Sequence, residues 1–85
     1  KQGMGRTLNL SESGILLETH FPISSEHHVI LSIGLGDDLV DLQGRPVHVR
    51  AMDQGTYEVG IEFVDPGDAP LGAIRRFLQS ISSEE

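Results

Sequence analysis

The stretch Asn9-Leu10-Ser11-Glu12-Ser13-Gly14 gathers an amide, two hydroxyls and a glycine within six positions. An amide offers both acceptor and donor and a hydroxyl offers both as well, so such a group can hold a small polar molecule by hydrogen bonds alone. The same residues make an ordinary chain reversal, with hydroxyls bonding local backbone and a glycine free to take positive φ. Bond-making chemistry finds less to work with. There is no cysteine, hence no thiol nucleophile, disulfide framework or thiolate metal site. Ser11 and Ser13 lie on a turn that a strand follows, without the strand-to-helix elbow that exposes a catalytic serine. His27 and His28 are adjacent and point to opposite faces of a strand, so with His20 and His48 they are read as surface or strand-edge residues, not metal ligands. Nothing in the spacing of the thirteen acidic residues selects a general-base pair. The glycines at 34, 36, 44, 55 and 60 form neither a dinucleotide nor a P-loop cradle. Arg75-Arg76 reads as a solvated pair, with partner binding the alternative. The chain is expected to be non-catalytic, with no metal and no cofactor.

Hydrophobic periodicity sets the elements that must position the six-residue stretch. Thr7 to Leu10 and Ile15 to Thr19 are strand candidates on either side of it. Phe21-Pro22 breaks the pattern, and Ser24 to Glu26 reads as loop. From His28 to Leu35 the apolar residues Val29, Leu31, Ile33 and Leu35 alternate with the rest, a period of two that marks a half-buried strand. After a turn at Gly36-Asp37-Asp38, a strand beginning at Leu39 to Leu42 is expected to be interrupted at Gln43-Gly44, and Pro46 argues against a regular central ladder there. Val47, Val49 and Ala51 then alternate with His48 and Arg50, and Asp53-Gln54-Gly55 reverses the chain. Tyr57 to Phe63 is the clearest strand, with Gly60 expected to mark a bulge or close packing beneath a helix. That helix is capped at Asp68, carries Pro70 in its first turn and repeats Leu71, Ile74, Phe77, Leu78 and Ile81 at helical spacing over about three turns. Ser82 to Glu85 reads as loose. The fold class expected is mainly β: a small antiparallel barrel of five to six strands with one C-terminal α-helix, forming a single domain over 1–85.

Charge narrows the partners. The chain of 85 residues has a formal charge of −7, and its only locally basic part is the opening, where Lys1 and Arg6 face Glu12. No broad basic face exists for counterion release, which excludes long nucleic acids but not a small anion held locally. No apolar run approaches the roughly 20 residues needed to cross a bilayer, so no membrane insertion is expected. The lack of cysteine fits a reducing, cytoplasmic setting.

The order of Asn9-x-Ser11-x-x-Gly14, the segment "YEVGIEFVD" from Tyr57 to Asp65 and a closing helix resembles the PilZ domain family, bacterial receptors for the second messenger cyclic diguanylate (cyclic di-GMP). The resemblance covers Gly5 to Leu78. It implies a six-stranded antiparallel barrel with the helix packed over one opening and the ligand on the outer surface. By position, Asn9 would contact guanine, Ser11 would meet the phosphate or base region, and Gly14 would let the backbone come close.

One departure limits what the resemblance implies. The family's second signature, Arg-x-x-x-Arg upstream of the polar turn, has no counterpart here; only Lys1 and Arg6 precede the turn, at the wrong spacing. Arg6 is retained as the one nearby cation for the ligand. Charged hydrogen bonds are worth on the order of 1.5–3 kcal/mol each, so weak or negligible binding of cyclic di-GMP is expected. The start at Lys1 suggests a domain incomplete at its N-terminus, whose arginines lie upstream. The alternative is a nucleotide-independent interaction domain that works through protein partners in pilus or motility machinery. Without a first strand one barrel edge is left open, and a homodimer through that edge, or a rearranged first strand, is expected.

Overall fold

A computed structural model of the chain describes residues 5–82. Five strands form: β1 (Gly5–Leu10), β2 (Gly14–Thr19), β3 (Val29–Leu35), β4 (Asp38–Ala51) and β5 (Tyr57–Phe63), followed by the helix α1 (Asp68–Ser82). They make one sheet in the order β1-β2-β5-β4-β3, antiparallel at every pairing. The sheet curls into a half-barrel, so the mainly β class with a closing helix is what the chain adopts. The first hairpin and the β3–β4 hairpin connect sequence neighbours, while β5 inserts between β2 and β4.

The alternation read from the sequence is the alternation of burial. Val59, Ile61 and Phe63 of β5 point inward and meet Ile15 of β2, Ile33 and Leu35 of β3, and Leu42 of β4. Helix α1 lies across β3 and β4 and sinks Ala73 and Ile74 into this cluster. Val59 and Ile74 are completely buried; side chains of this size stabilise the fold by roughly 1.5–3 kcal/mol each when removed from water. Among the described residues the one buried polar side chain, Thr19, donates its hydroxyl to the carbonyl of Phe21 at 2.6 Å and so tolerates the interior.

Three local expectations are corrected, and that for Gly60 is met in one of its two forms. β4 is not interrupted at Gln43-Gly44 but runs 14 residues, through Pro46. Its first half pairs with β3 up to Gly44, and its second half, from Gly44 on, pairs with β5. Pro46 therefore sits where β4 has a single neighbour, so its missing N–H breaks no ladder on the other side. A register shift between Pro46 and His48 takes up the extra residue Val47. Gly60 lies opposite this bulge but not beneath α1: it faces outward, and a Cβ there would meet the Cβ of His48 at 3.3 Å, so the glycine makes room for the imidazole. The carbonyl of Gly67 accepts from Leu71 N at 3.1 Å, which makes Gly67 the cap and places Asp68 in the first turn, where its charge suits the helix dipole. Helix α1 continues to Ser82 and spans 15 residues, about four turns; Ser83 to Glu85 lie outside the described residues.

Among the described residues the barrel does not close. β1 and β3 are the sheet's two edges, and a hollow of about 220 Å³ lies between them, lined by Thr7, Ile15 and Leu17 on one side and by Leu31, Ile33 and Gly34 on the other.

Candidate functional site: the β1–β2 turn

The β1–β2 corner is built by a bulge. In the register Arg6 faces Glu18, Thr7 faces Leu17, and then Asn9 faces Leu16, which leaves Leu8 as an extra residue. Facing residues of an antiparallel pair share a side of the sheet. The bulge thus puts Asn9 on the outer face together with Arg6, where plain alternation would have turned them to opposite sides. Leu8 is left partly in solvent.

The turn itself is closed by backbone bonds. Ser11 N donates to the carbonyl of Gly14 at 2.9 Å, and Phe63 N of β5 donates to the carbonyl of Ser13 at 2.9 Å. The Ser11 hydroxyl accepts from Ser13 N, lies 3.2 Å from the Ser13 hydroxyl and is 3.3 Å from the Gly14 carbonyl. The oxygen Oδ1 of Asn9 accepts from Leu10 N at 2.9 Å. Asn9, Ser11 and Ser13 thus each make a local bond, yet all three are exposed. A carbonyl oxygen has a second lone pair and the Asn9 amide nitrogen still has donors, so capacity for a ligand remains.

Gly14 has a steric reason of its own. Its φ is not in the left-handed region, which only Asp65, Gly36 and Gly55 occupy among the described residues. A Cβ at position 14 would lie 2.3 Å from the carbonyl oxygen of Ile61. The glycine is thus required by the approach of β2 to β5, not by a turn conformation.

Asn9, Ser11 and Gly14 are brought together around one shallow hollow of about 180 Å³, which Leu10, Ile15 and Leu16 complete. Arg6 is not part of it. Its guanidinium binds Glu18 at 2.9 Å, and the pair lines a second, wider hollow of about 520 Å³ with His20, Gln54 and Thr56. The rest of the outer face is similarly paired. Arg45 binds Glu62 across β4 and β5, and Glu58 Oε1 receives both His48 Nε2 at 3.1 Å and Arg50 Nη2 at 3.2 Å. The hydrogen bond from His48, aided by Arg50 and opposed by partial burial, holds the Glu58 carboxyl below its ordinary value. His27, His28 and His20 form no metal cluster, and among the described residues no three metal-ligating side chains gather. Lys1 lies outside the described residues.

One contact had no signal in the sequence. Arg75 of α1 donates from Nε to Glu12 Oε1 at 2.9 Å, tying the helix to the turn across 63 residues of chain. Both arginines are exposed, as read from the sequence, but Arg75 is also ion-paired. Arg76, by contrast, folds its guanidinium back along its own helix toward Gly72. Only the docking of α1 over the barrel end reveals which of the two faces the turn.

The family model described as PilZ domain matches residues 1–80. The chain belongs to the PilZ domain family. No curated protein and no solved structure matches it. Membership supports, in general terms, a signalling module of the cyclic-di-GMP-binding type, in a family of non-catalytic binding domains. In this PilZ domain no described helix is long and apolar enough to cross a membrane.

Proposed function

We propose that this PilZ domain binds cyclic di-GMP at the β1–β2 turn, weakly on its own, and relays occupancy to a protein partner in the bacterial cytoplasm. The observation that carries the reading is the hollow walled by Asn9, Ser11 and Gly14, with Asn9 on the outer face. Asn9 Oδ1 keeps a lone pair for a guanine N–H, and its amide nitrogen donates to the guanine acceptors. The Ser11 hydroxyl exchanges its bond within the turn for one to a phosphate oxygen. Arg6 reaches the ligand by giving up Glu18, a pairing in which Arg6 is 72% and Glu18 27% exposed. Exposed pairs of this kind are worth about 0–1 kcal/mol, a modest cost for a charged contact to phosphate. The steps are binding steps only; no covalent chemistry is assigned, and the domain is read as a receptor module and not an enzyme.

Weak affinity follows from electrostatics. Arg6, Arg45 and Arg50 all face carboxylates already, so little uncommitted positive charge meets a dianion. Calorimetric titration with cyclic di-GMP tests the reading. Saturable binding that disappears in Asn9→Ala and Ser11→Ala supports it; binding indifferent to both substitutions overturns it.

The same pairing of arginines favours the second reading, a nucleotide-independent interaction domain of motility machinery. In that case the open edges β1 and β3 carry the function, through a partner strand or a second copy of the chain. A wild-type chain that ignores the nucleotide yet pairs through these edges would select it.

A further inference from the structure

The polar turn contains a carboxylate that an anion site does not want. Glu12 lies directly between Ser11 and Ser13, in a turn drawn tight by the 2.9 Å bond from Ser11 N to the Gly14 carbonyl. A phosphate settling on the Ser11 hydroxyl would meet a like charge one residue away. Like charges at such separations repel appreciably wherever water is partly displaced. The geometry of Glu12 resolves the conflict: its side chain does not line the hollow but is taken up by Arg75 Nε from α1.

We propose that Arg75 is a positioning residue of the turn site, which holds the Glu12 carboxylate away from Ser11 and neutralises it, so that an anionic group can be accepted. The proposal rests on the reading that the turn binds a phosphate-bearing ligand. It differs from a direct arginine clamp: Arg75 acts through Glu12 and does not touch the ligand. Both partners are about half exposed, 55% for Arg75 and 54% for Glu12, so the pair adds little to fold stability by itself. Its consequence is local. With Arg75 gone, Glu12 is free to turn toward Ser11 and compete for the hydroxyl proton that the ligand needs.

Arg76 provides a charge-matched control, because it sits next in the chain, carries the same charge and leans back on Gly72. The test follows backbone amide shifts of residues 9–14 during titration with cyclic di-GMP, in the wild type and in Arg75→Gln, Arg76→Gln, Glu12→Gln and the Glu12→Gln/Arg75→Gln double variant. Arg75→Gln should weaken binding roughly two- to fivefold, the scale of one exposed ion pair. Arg76→Gln should change it by less than about twofold on the same scale. The double variant should return to the wild-type value, since removing the carboxylate removes the need for its neutraliser; a merely structural role in docking α1 would not be rescued in this way. The loss in Arg75→Gln should also shrink as salt is raised from low to high, as screening requires.

Equal binding by wild type and Arg75→Gln, or failure of the double variant to recover, overturns the proposal while leaving the turn site intact. Binding that Asn9→Ala does not affect overturns the site reading itself. Absence of any shift at 9–14 in the wild type and in Glu12→Gln alike overturns both.

Discussion

The family resemblance singles out Gly14 as the position where the backbone comes close to a ligand. The close approach exists, but its partner is the carbonyl of Ile61, 2.3 Å from where a Cβ would be. Gly14→Ala is therefore expected to destabilise the fold by about 1–3 kcal/mol, the usual cost of forcing an extra carbon into packed backbone. Urea unfolding checks this: a lowered midpoint with unchanged slope agrees, and unchanged stability would mean that β2 and β5 yield easily. Asn9 and Ser11 were legible as side chains of a polar turn, because amide and hydroxyl chemistry follows from residue type alone. That their oxygens already hold the turn together was only the bland half of the same reading. Both halves coexist, since each group has bonding capacity to spare.

At the scale of elements, the strands with strict alternation were readable and the irregular ones were not. β3, β5 and α1 appear nearly where the periodicity puts them, because one buried face forces a period of two or of 3.6. The bulge at Leu8 left no trace in the pattern, yet it alone sets Asn9 beside Arg6 on the outer face. Pro46 is unfavourable only in a strand with two neighbours along its whole length, whereas β4 exchanges β3 for β5 at Gly44.

The outer seam between β4 and β5 has a pH signature. Glu58 is depressed by the bonds from His48 and Arg50, so its ion pairs support the folded chain above the ordinary glutamate value. That support is lost as the pH falls through the lower value Glu58 has in the folded state. Acid titration of stability should show a decline in this window for the wild type, and a flatter curve for Glu58→Gln. Parallel curves would indicate that the cluster is neutral to folding.

For the whole molecule, composition and charge set expectations for the partners but could not reveal the curl of the sheet. Among the described residues five strands order themselves β1-β2-β5-β4-β3 and leave β1 and β3 as open edges, with Ile30 of β3 75% exposed. Unpaired edges recruit strands. Sedimentation at rising concentration is expected to show self-association that Ile30→Lys suppresses, a charge on an edge being a block to pairing. A wild type that stays monomeric throughout would count against edge pairing. Arg6 as the cation nearest the turn was plain in the sequence; its commitment to Glu18 was not, because it depends on the register of β1 against β2.

The β1–β2 corner is proposed as the place where a nucleotide settles, and a chemical-shift titration with cyclic di-GMP tests this most directly. The expected result is saturable movement of the Asn9, Ser11 and Gly14 amides with a dissociation constant weaker than about 1 μM, equivalent to less than roughly 8 kcal/mol of binding. Saturable shifts confined to another part of the sheet, or a nanomolar constant unchanged in an Asn9→Ala/Ser11→Ala variant, would contradict it.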